Sequence, residues 1–178
     1  MNTTAYPASR RQETLSDQTR SFIVREAHAG DAQLIADLTR ACWANKVAPS
    51  ATGHRETAAR VRQDLQQGGG FILISDDRPL GSVRWVPLET QSDIWEITRM
   101  GVLPAYRGAR LSQHLLEAVI HRAQTSDAAE LRLAVRADQP RLLDLYAAFG
   151  FELAPELEYP DDRRPEPPPT IMRRMLGY

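Results

Sequence analysis

Residues Trp95 to Leu116, WEITRMGVLPAYRGARLSQHLL, change character midway. Up to Val102 the stretch is β-branched and aromatic with a rough alternation, the pattern of a half-buried strand. From Leu111 the apolar positions Leu111, Leu115, Ala118 and Val119 fall on one helical stripe. Between them lies a basic turn, Leu103 to Arg110. A strand that ends in a Gly-containing turn and feeds a helix aims unpaired backbone N–H groups and the positive end of the helix dipole at one point, which is a site for phosphate. Arg107 and Arg110 can neutralise a diphosphate, and Gly108, lacking a Cβ, lets the backbone come close to it. A solvated connection would have the same composition. There is no GxGxxG after a strand and no GxxxxGK[ST], so a phosphate bound here is held by neither of those folds.

Val102 to Ser112 reads V-x-P-x-x-R-G-x-x-L-S and is followed by an amphipathic helix; Leu131 to Glu152, LRLAVRADQPRLLDLYAAFGFE, follows downstream. The first segment resembles the acyl-CoA pyrophosphate motif of the GNAT N-acetyltransferase superfamily, and the second its strand, helix and Tyr-x-x-x-Gly-Phe segment. With an apolar stretch at Ile171 to Leu176, the resemblance runs from Phe22 to near the C-terminus.

Composition bounds the remaining classes. A chain of 178 residues, 42% hydrophobic, suits one domain with a full core. A net charge of −1 with 25% charged residues gives no reason to expect nucleic acid or an anionic membrane as a partner. No apolar run reaches membrane-span length and the N-terminus lacks the apolar stretch of a signal peptide, so a cytoplasmic protein is expected. Cys42 is the single cysteine, which rules out an intramolecular disulfide and a cysteine metal cluster; its helical setting predicts packing. His28, His54, His114 and His121 show no ligand spacing, so no metal is expected.

In chain order, residues 1–20 are polar and without an apolar period, and read as a tail before a domain spanning 21–178. SFIVREA is a short strand, His28 to Gly30 a turn, and Asp31 the expected N-cap of a helix from Ala32 to Ala44. VAPSATGH, Val47 to His54, is a loop; a second helix, Glu56 to Gln67, stops at Gly68-Gly69-Gly70. Phe71 to Ser75 and Leu80 to Leu88 form a hairpin about Asp76 to Pro79, and Glu89 to Ser92 leads to the strand Ile94 to Val102. Pro155 to Pro169 is a proline-rich charged loop whose Glu156, Glu158, Asp161 and Asp162 would attract a cationic amine or form a solvated run. A last strand, Thr170 to Leu176, is expected to pair with the one from Phe151.

The expected fold class is α+β, three-layer α/β/α, with a mixed and mostly antiparallel sheet and about four helices. The resemblance implies that the fourth strand splays from the fifth and opens a cleft. Backbone groups of Met100, Gly101 and Val102 would pair there with the pantetheine arm of acetyl-CoA, in the manner of strand addition. Gly101 would supply the bulge that opens the cleft. The amides of Arg107, Gly108, Ala109, Arg110, Leu111 and Ser112 would hold the pyrophosphate. Arg110 and Ser112 stand where the family often has glycine: the Ser112 hydroxyl can add a hydrogen bond, while the Arg110 side chain points into solvent, folds over the 3′-phosphate or crowds the pyrophosphate. Gln139 occupies the place of an asparagine that bonds the pantetheine in the family.

The implied chemistry is attack of an amine on a thioester, which needs a base, an oxyanion donor and an acid for the leaving thiolate. Tyr146 matches the family tyrosine and is the candidate acid, with a core tyrosine as the plainer reading. Glu96, a carboxylate on an otherwise apolar strand, is the candidate base. By strict alternation it shares a face with Thr98 and Met100, opposite Trp95, Ile97 and Arg99. An ion pair with Arg84 would account for it equally, and with reversed parity Arg99 would bind an acidic group on the acceptor. Trp43, Lys46, His54 and Arg55 fall in the region that walls the acceptor groove in the family. The resulting expectation is an N-acetyltransferase acting on a small-molecule or peptide amine. A non-catalytic acyl-CoA-binding module and a transferase of longer acyl chains are the alternatives, and the resemblance admits a homodimer.

Overall fold

Two adjacent aspartates shape the central hairpin. Asp76 and Asp77 both take left-handed backbone conformations (φ 48° and 59°), which a two-residue turn between twisted strands demands and which aspartate tolerates. The turn is therefore shorter than the four residues expected, and Arg78 and Pro79 belong to the following strand. The computed structural model describes residues 21–108, 110–158 and 167–177. The expected tail, Ala109, Asp161 and Asp162 lie outside the described residues.

The elements are β1 (Phe22–Glu26), α1 (Ala32–Trp43), α2 (Ala58–Gln67), β2 (Gly69–Ser75), β3 (Arg78–Leu88), β4 (Gln91–Val102), α3 (Leu111–Gln124), β5 (Glu130–Val135), α4 (Arg141–Ala148), β6 (Glu152–Leu153) and β7 (Thr170–Met175). They build a seven-stranded sheet in the order β1-β2-β3-β4-β5-β7-β6. Every pairing is antiparallel except β4 with β5. The last strand meets the one after Phe151, as expected, but also lies along β5 from Thr170 to Met175.

Helix starts differ in detail from the sequence expectation. Asp31 does not cap α1 with its side chain; its carboxylate accepts from the His28 N–H at 2.8 Å and from Arg25, closing a 3-10 turn that leads into the helix. Thr57 caps α2, its hydroxyl accepting from the Arg60 N–H at 3.2 Å, so that helix begins at Ala58 and Glu56 stays outside it. Gly69 and Gly70 belong to β2, where a Cβ on Gly69 would come within 2.3 Å of the Trp85 ring.

Alternation along the strands sorts the apolar residues onto two faces. Phe71, Leu73, Val83, Trp85 and Ile97 join the stripe Leu111, Leu115, Leu116 and Val119 of α3, together with Tyr146 and Phe151. On the opposite face Ile72 packs with Ile35, Ala36 and Leu38 of α1 and Val61 of α2. Each Val, Leu, Ile or Phe among them contributes about 1.5–3 kcal/mol on burial. The result is three layers, with α1 and α2 on one side and α3 and α4 on the other.

Two irregularities of β4 matter for function. It pairs with β5 only from Ile94 to Glu96 against Glu130 to Arg132, and beyond that the two strands part. It also bulges against β3. Thr98 lies opposite Arg84 and Gly101 opposite Ser82, so Arg99 and Met100 together face the single residue Val83. The bulged residue is Arg99, held at φ 55°, and not Gly101 as expected. Gly101 serves the approach of α1 instead, since a Cβ there would lie 2.9 Å from the Cβ of Cys42.

Candidate active site

Where β4 and β5 part, two cavities open side by side. The larger, about 460 Å³, is walled by the outer half of β4 from Glu96 to Gly101, by the end of β5 and by the loop after α1. The smaller, about 310 Å³, lies against the start of α3. Lys46, Met100, Gly101, Leu142 and Tyr146 border both, so the two form one continuous cleft.

The smaller cavity is bordered by most of the predicted phosphate turn: Arg107, Gly108, Arg110, Leu111 and Ser112. Gly108 at φ 88° and Arg110 at φ 57° are both left-handed and flank the entry to α3, turning the chain so that the helix N-terminus opens on the cleft. Left-handed geometry explains why glycine would suit position 110; arginine holds it at a cost of about 1–2 kcal/mol. Leu111 buries its side chain in the core and has only its backbone to offer. Arg107 does not lie free: it donates to the carbonyl of Cys42 at the end of α1. Ala109, predicted to contribute its amide, lies outside the described residues.

Along the outer half of β4, Gly101 and Val102 pair with Ser82 and Gly81 of β3 while Met100 lies in the bulge, and among the described residues none of the three has a strand on the other edge. That unpaired edge faces the cleft and carries main-chain donors and acceptors for an amide-bearing ligand. Gln139 sits on the larger cavity, where its amide donates to the Lys46 carbonyl at 2.9 Å. Beside it, the Ala48 N–H donates to Asp138 at 3.2 Å. These two bonds fasten the loop after α1 to the far lip of the cleft.

Glu96 borders the larger cavity. Arg84 is not its partner: that guanidinium, fully buried, is bound by Glu56 at 2.6 Å and Asp64 at 2.8 Å. Burial pushes the Glu96 carboxyl above the usual carboxylate range, against the opposing charge of Arg99. Tyr146 stands on the wall shared by the two cavities, 7% exposed, its ring edge-on to Phe151 with centroids 5.9 Å apart. Burial pushes its hydroxyl up to about 12, so it keeps its proton. The Cys42 thiol is buried, and that burial pushes it up to about 11 against the charges of Arg107 and Lys46.

The bulge overturns the alternation expected for β4. Glu96 and Thr98 share the face of Arg84, the α1–α2 side, but Arg99 joins them there. Its Nε donates to Glu56 at 2.9 Å, its Nη2 to the Thr52 hydroxyl at 2.8 Å, and its guanidinium lies 5.2 Å from the centroid of the Trp43 ring. Met100, expected beside Glu96, packs instead toward the α3 core. Of the residues predicted near the acceptor, Trp43, Lys46 and Arg55 border the larger cavity. His54 is used otherwise, its Nε2 3.3 and 3.1 Å from the carbonyls of Val47 and Ala48, bracing their loop. Sequence reasoning did not single out Arg136 or Leu142, which also line the cleft. Leu142 carried a signal, one helical turn before Tyr146; Arg136 had none beyond following β5.

Among the described residues no group of three or more His, Cys, Asp or Glu side chains is placed to hold a metal, and no helix is long and apolar enough to cross a membrane.

Residues 33–151 match the model of the acetyltransferase (GNAT) family. Among solved structures, a GNAT-family acetyltransferase from Staphylococcus aureus Mu50 superposes with a TM-score of 0.69 at 15% identity, covering 88% of this chain and 100% of that one. The PaiA N-acetyltransferase of Thermoplasma acidophilum, solved with coenzyme A, gives 0.69 at 15% identity over 87% of this chain and 99% of its own. The ribosomal-protein-S18-alanine N-acetyltransferase of Escherichia coli gives 0.69 at 16% identity, covering 89% and 96%. A comparison with curated proteins finds no match.

Proposed function

The chain belongs to the GNAT acetyltransferase family, and on that premise we propose that it is an N-acetyltransferase that moves an acetyl group from acetyl-CoA to a primary amine within a ternary complex. The observation that carries the proposal is the parting of β4 from β5 beside the N-terminus of α3, with Glu96 and Tyr146 on the walls of the resulting cleft.

The residues present suit coenzyme A. The turn at Gly108 and Arg110 opens the α3 N-terminus on the smaller cavity, where amides from Arg110 to Ser112 and the charge of Arg107 would hold a pyrophosphate. The unpaired edge of β4 at Met100, Gly101 and Val102 would take the pantetheine arm as a further strand, the larger cavity would take the amine, and Gln139 is at hand beside it. Acetyl-CoA supplies an acetyl thioester. Glu96 takes a proton from the ammonium, freeing the lone pair that forms the bond to the acetyl carbon, and the second proton leaves the nitrogen for solvent as the amide forms. A β4 backbone N–H at the bulge stabilises the charge that develops on the carbonyl oxygen. Tyr146 gives its proton to the sulfur as the carbon–sulfur bond breaks, and both groups are restored through solvent.

The first test is the melting temperature of the protein with acetyl-CoA and with CoA, since a ligand of the native state raises it by mass action. A rise of several degrees at about 100 times the dissociation constant is expected. Tyr146→Phe should retain that rise and lose about 100-fold or more in kcat for thiol release. No rise at millimolar ligand would overturn the reading in favour of a non-catalytic domain of this fold.

A further inference from the structure

The larger cavity is lined by more positive charge than amine acetylation requires. Its charged residues are Lys46, Arg55, Arg99 and Arg136 against the single carboxylate Glu96. These cations differ in availability. Arg136 is matched by Asp138 at 3.1 Å, and Lys46 borders the phosphate side as well. Arg99 and Arg55 belong to the larger cavity alone.

Arg99 is held as a rigid recognition group. Glu56, Thr52 and the Trp43 ring fix its guanidinium, and the bulge has set it on the same face of β4 as Glu96. Yet its charge is only partly compensated, because the Glu56 oxygen that accepts from Arg99 at 2.9 Å accepts from buried Arg84 at 2.6 Å as well. The Arg99 side chain remains 26% exposed, and no hydrogen bond of its Nη1 occurs among the described residues. Arg55, exposed on the rim, has no ion pair among the described residues. A fixed, under-neutralised guanidinium with a second one lining the same cavity repels a polycation and favours a planar anion.

Building on the acetyl-transfer reading, we propose that the acceptor is a small amine carrying a carboxylate on the same molecule, an amino-acid-like zwitterion. The carboxylate lies on Arg99 and Arg55 while the amino group points to Glu96. Arg99 thereby positions the nucleophile as well as selecting it.

The test is thiol release at saturating acetyl-CoA with matched acceptors: amino acids, their methyl esters, the corresponding decarboxylated amines, and spermidine. The acids should exceed their esters and decarboxylated partners in kcat/KM by at least about 10-fold. Arg99→Gln should raise KM for the acid by about 10- to 100-fold, leave KM for acetyl-CoA unchanged, and bring acid and ester to parity. Arg55→Gln, on the exposed rim and with no partner to orphan, should move the same ratio several-fold in the same direction. Esters or spermidine acetylated as fast as the acids would overturn the proposal, as would an Arg99→Gln enzyme that still prefers acids. CoA release with no member of the panel, while acetyl-CoA still raises the melting temperature, would overturn the acceptor class alone. Absence of that thermal response would overturn the acetyl-transfer reading beneath it.

Discussion

Glu56→Gln keeps the shape of a side chain and removes the one charge on which two guanidiniums converge. The Glu56 oxygen accepts from Arg84 at 2.6 Å and from Arg99 at 2.9 Å, and the Arg84 side chain is 1% exposed. Burial opposes ionisation of Glu56, but Arg84 and Arg99 together hold its carboxyl below the usual range. In the variant Arg84 retains only Asp64, at 2.8 Å, and Asp64 is itself pushed up by burial and shared with Arg60 at 3.1 Å. Breaking a buried pair by removing one partner costs about 3–5 kcal/mol. For a domain of this size that corresponds to a melting temperature lower by about 6–20 °C. The Glu156–Arg173 pair, with side chains 53% and 36% exposed, supplies the control: Glu156→Gln should cost less than about 1 kcal/mol. Calorimetric or fluorescence melts of both variants beside the parent decide the matter. Equal shifts for the two would refute the claim that burial, and not pairing as such, gives Glu56 its weight.

Three further outcomes are expected. Glu96→Gln should lower kcat/KM by about 100-fold or more, and should abolish an acid limb that in the parent lies above the usual carboxylate range, because the active form is ionised and burial raises its pKa; pH–rate profiles of both check this. Gly101→Ala, whose new Cβ would lie 2.9 Å from that of Cys42, should push α1 from β4 and cost about 1–3 kcal/mol in denaturant unfolding. Asp31, whose carboxyl Arg25 pulls down to about 2 by hydrogen bonding against its desolvation, binds protons more weakly folded than unfolded. It therefore adds stability that is full above about pH 4 and lost as pH falls through 2. Asp31→Asn should flatten that part of the stability–pH curve.

The elements that the sequence revealed are those whose cause is local. The strand Trp95 to Val102, the turn at Gly108 and the stripe Leu111, Leu115 and Val119 each depend on neighbours within a few residues, and each lies where its pattern placed it. The features that escaped are set by partners far away in the chain. Arg84 finds Glu56 over 28 residues and Gln139 finds the Lys46 carbonyl over 93, and no periodicity encodes either meeting. The face assigned to Arg99 failed for a different reason. Alternation assumes one residue against one, and a bulge breaks that count without any glycine to announce it, since arginine itself occupies the left-handed position. Gly101, two residues on, was the visible clue and answered to another demand, the close seat of α1.

The bulge also makes the cleft sensitive to chain length more than to chemistry. A β4 one residue shorter, with Arg99 deleted in frame, would resume plain pairing with β3, yet it would need no change in the residues of the hydrophobic core. What it would lose is the extra residue that sets a guanidinium on the face of Glu96 while Gly101 still meets Cys42. A substitution along this strand alters one contact at a time; a single lost codon would remove the guanidinium from the acceptor side while leaving Thr98 opposite Arg84 and Gly101 opposite Ser82.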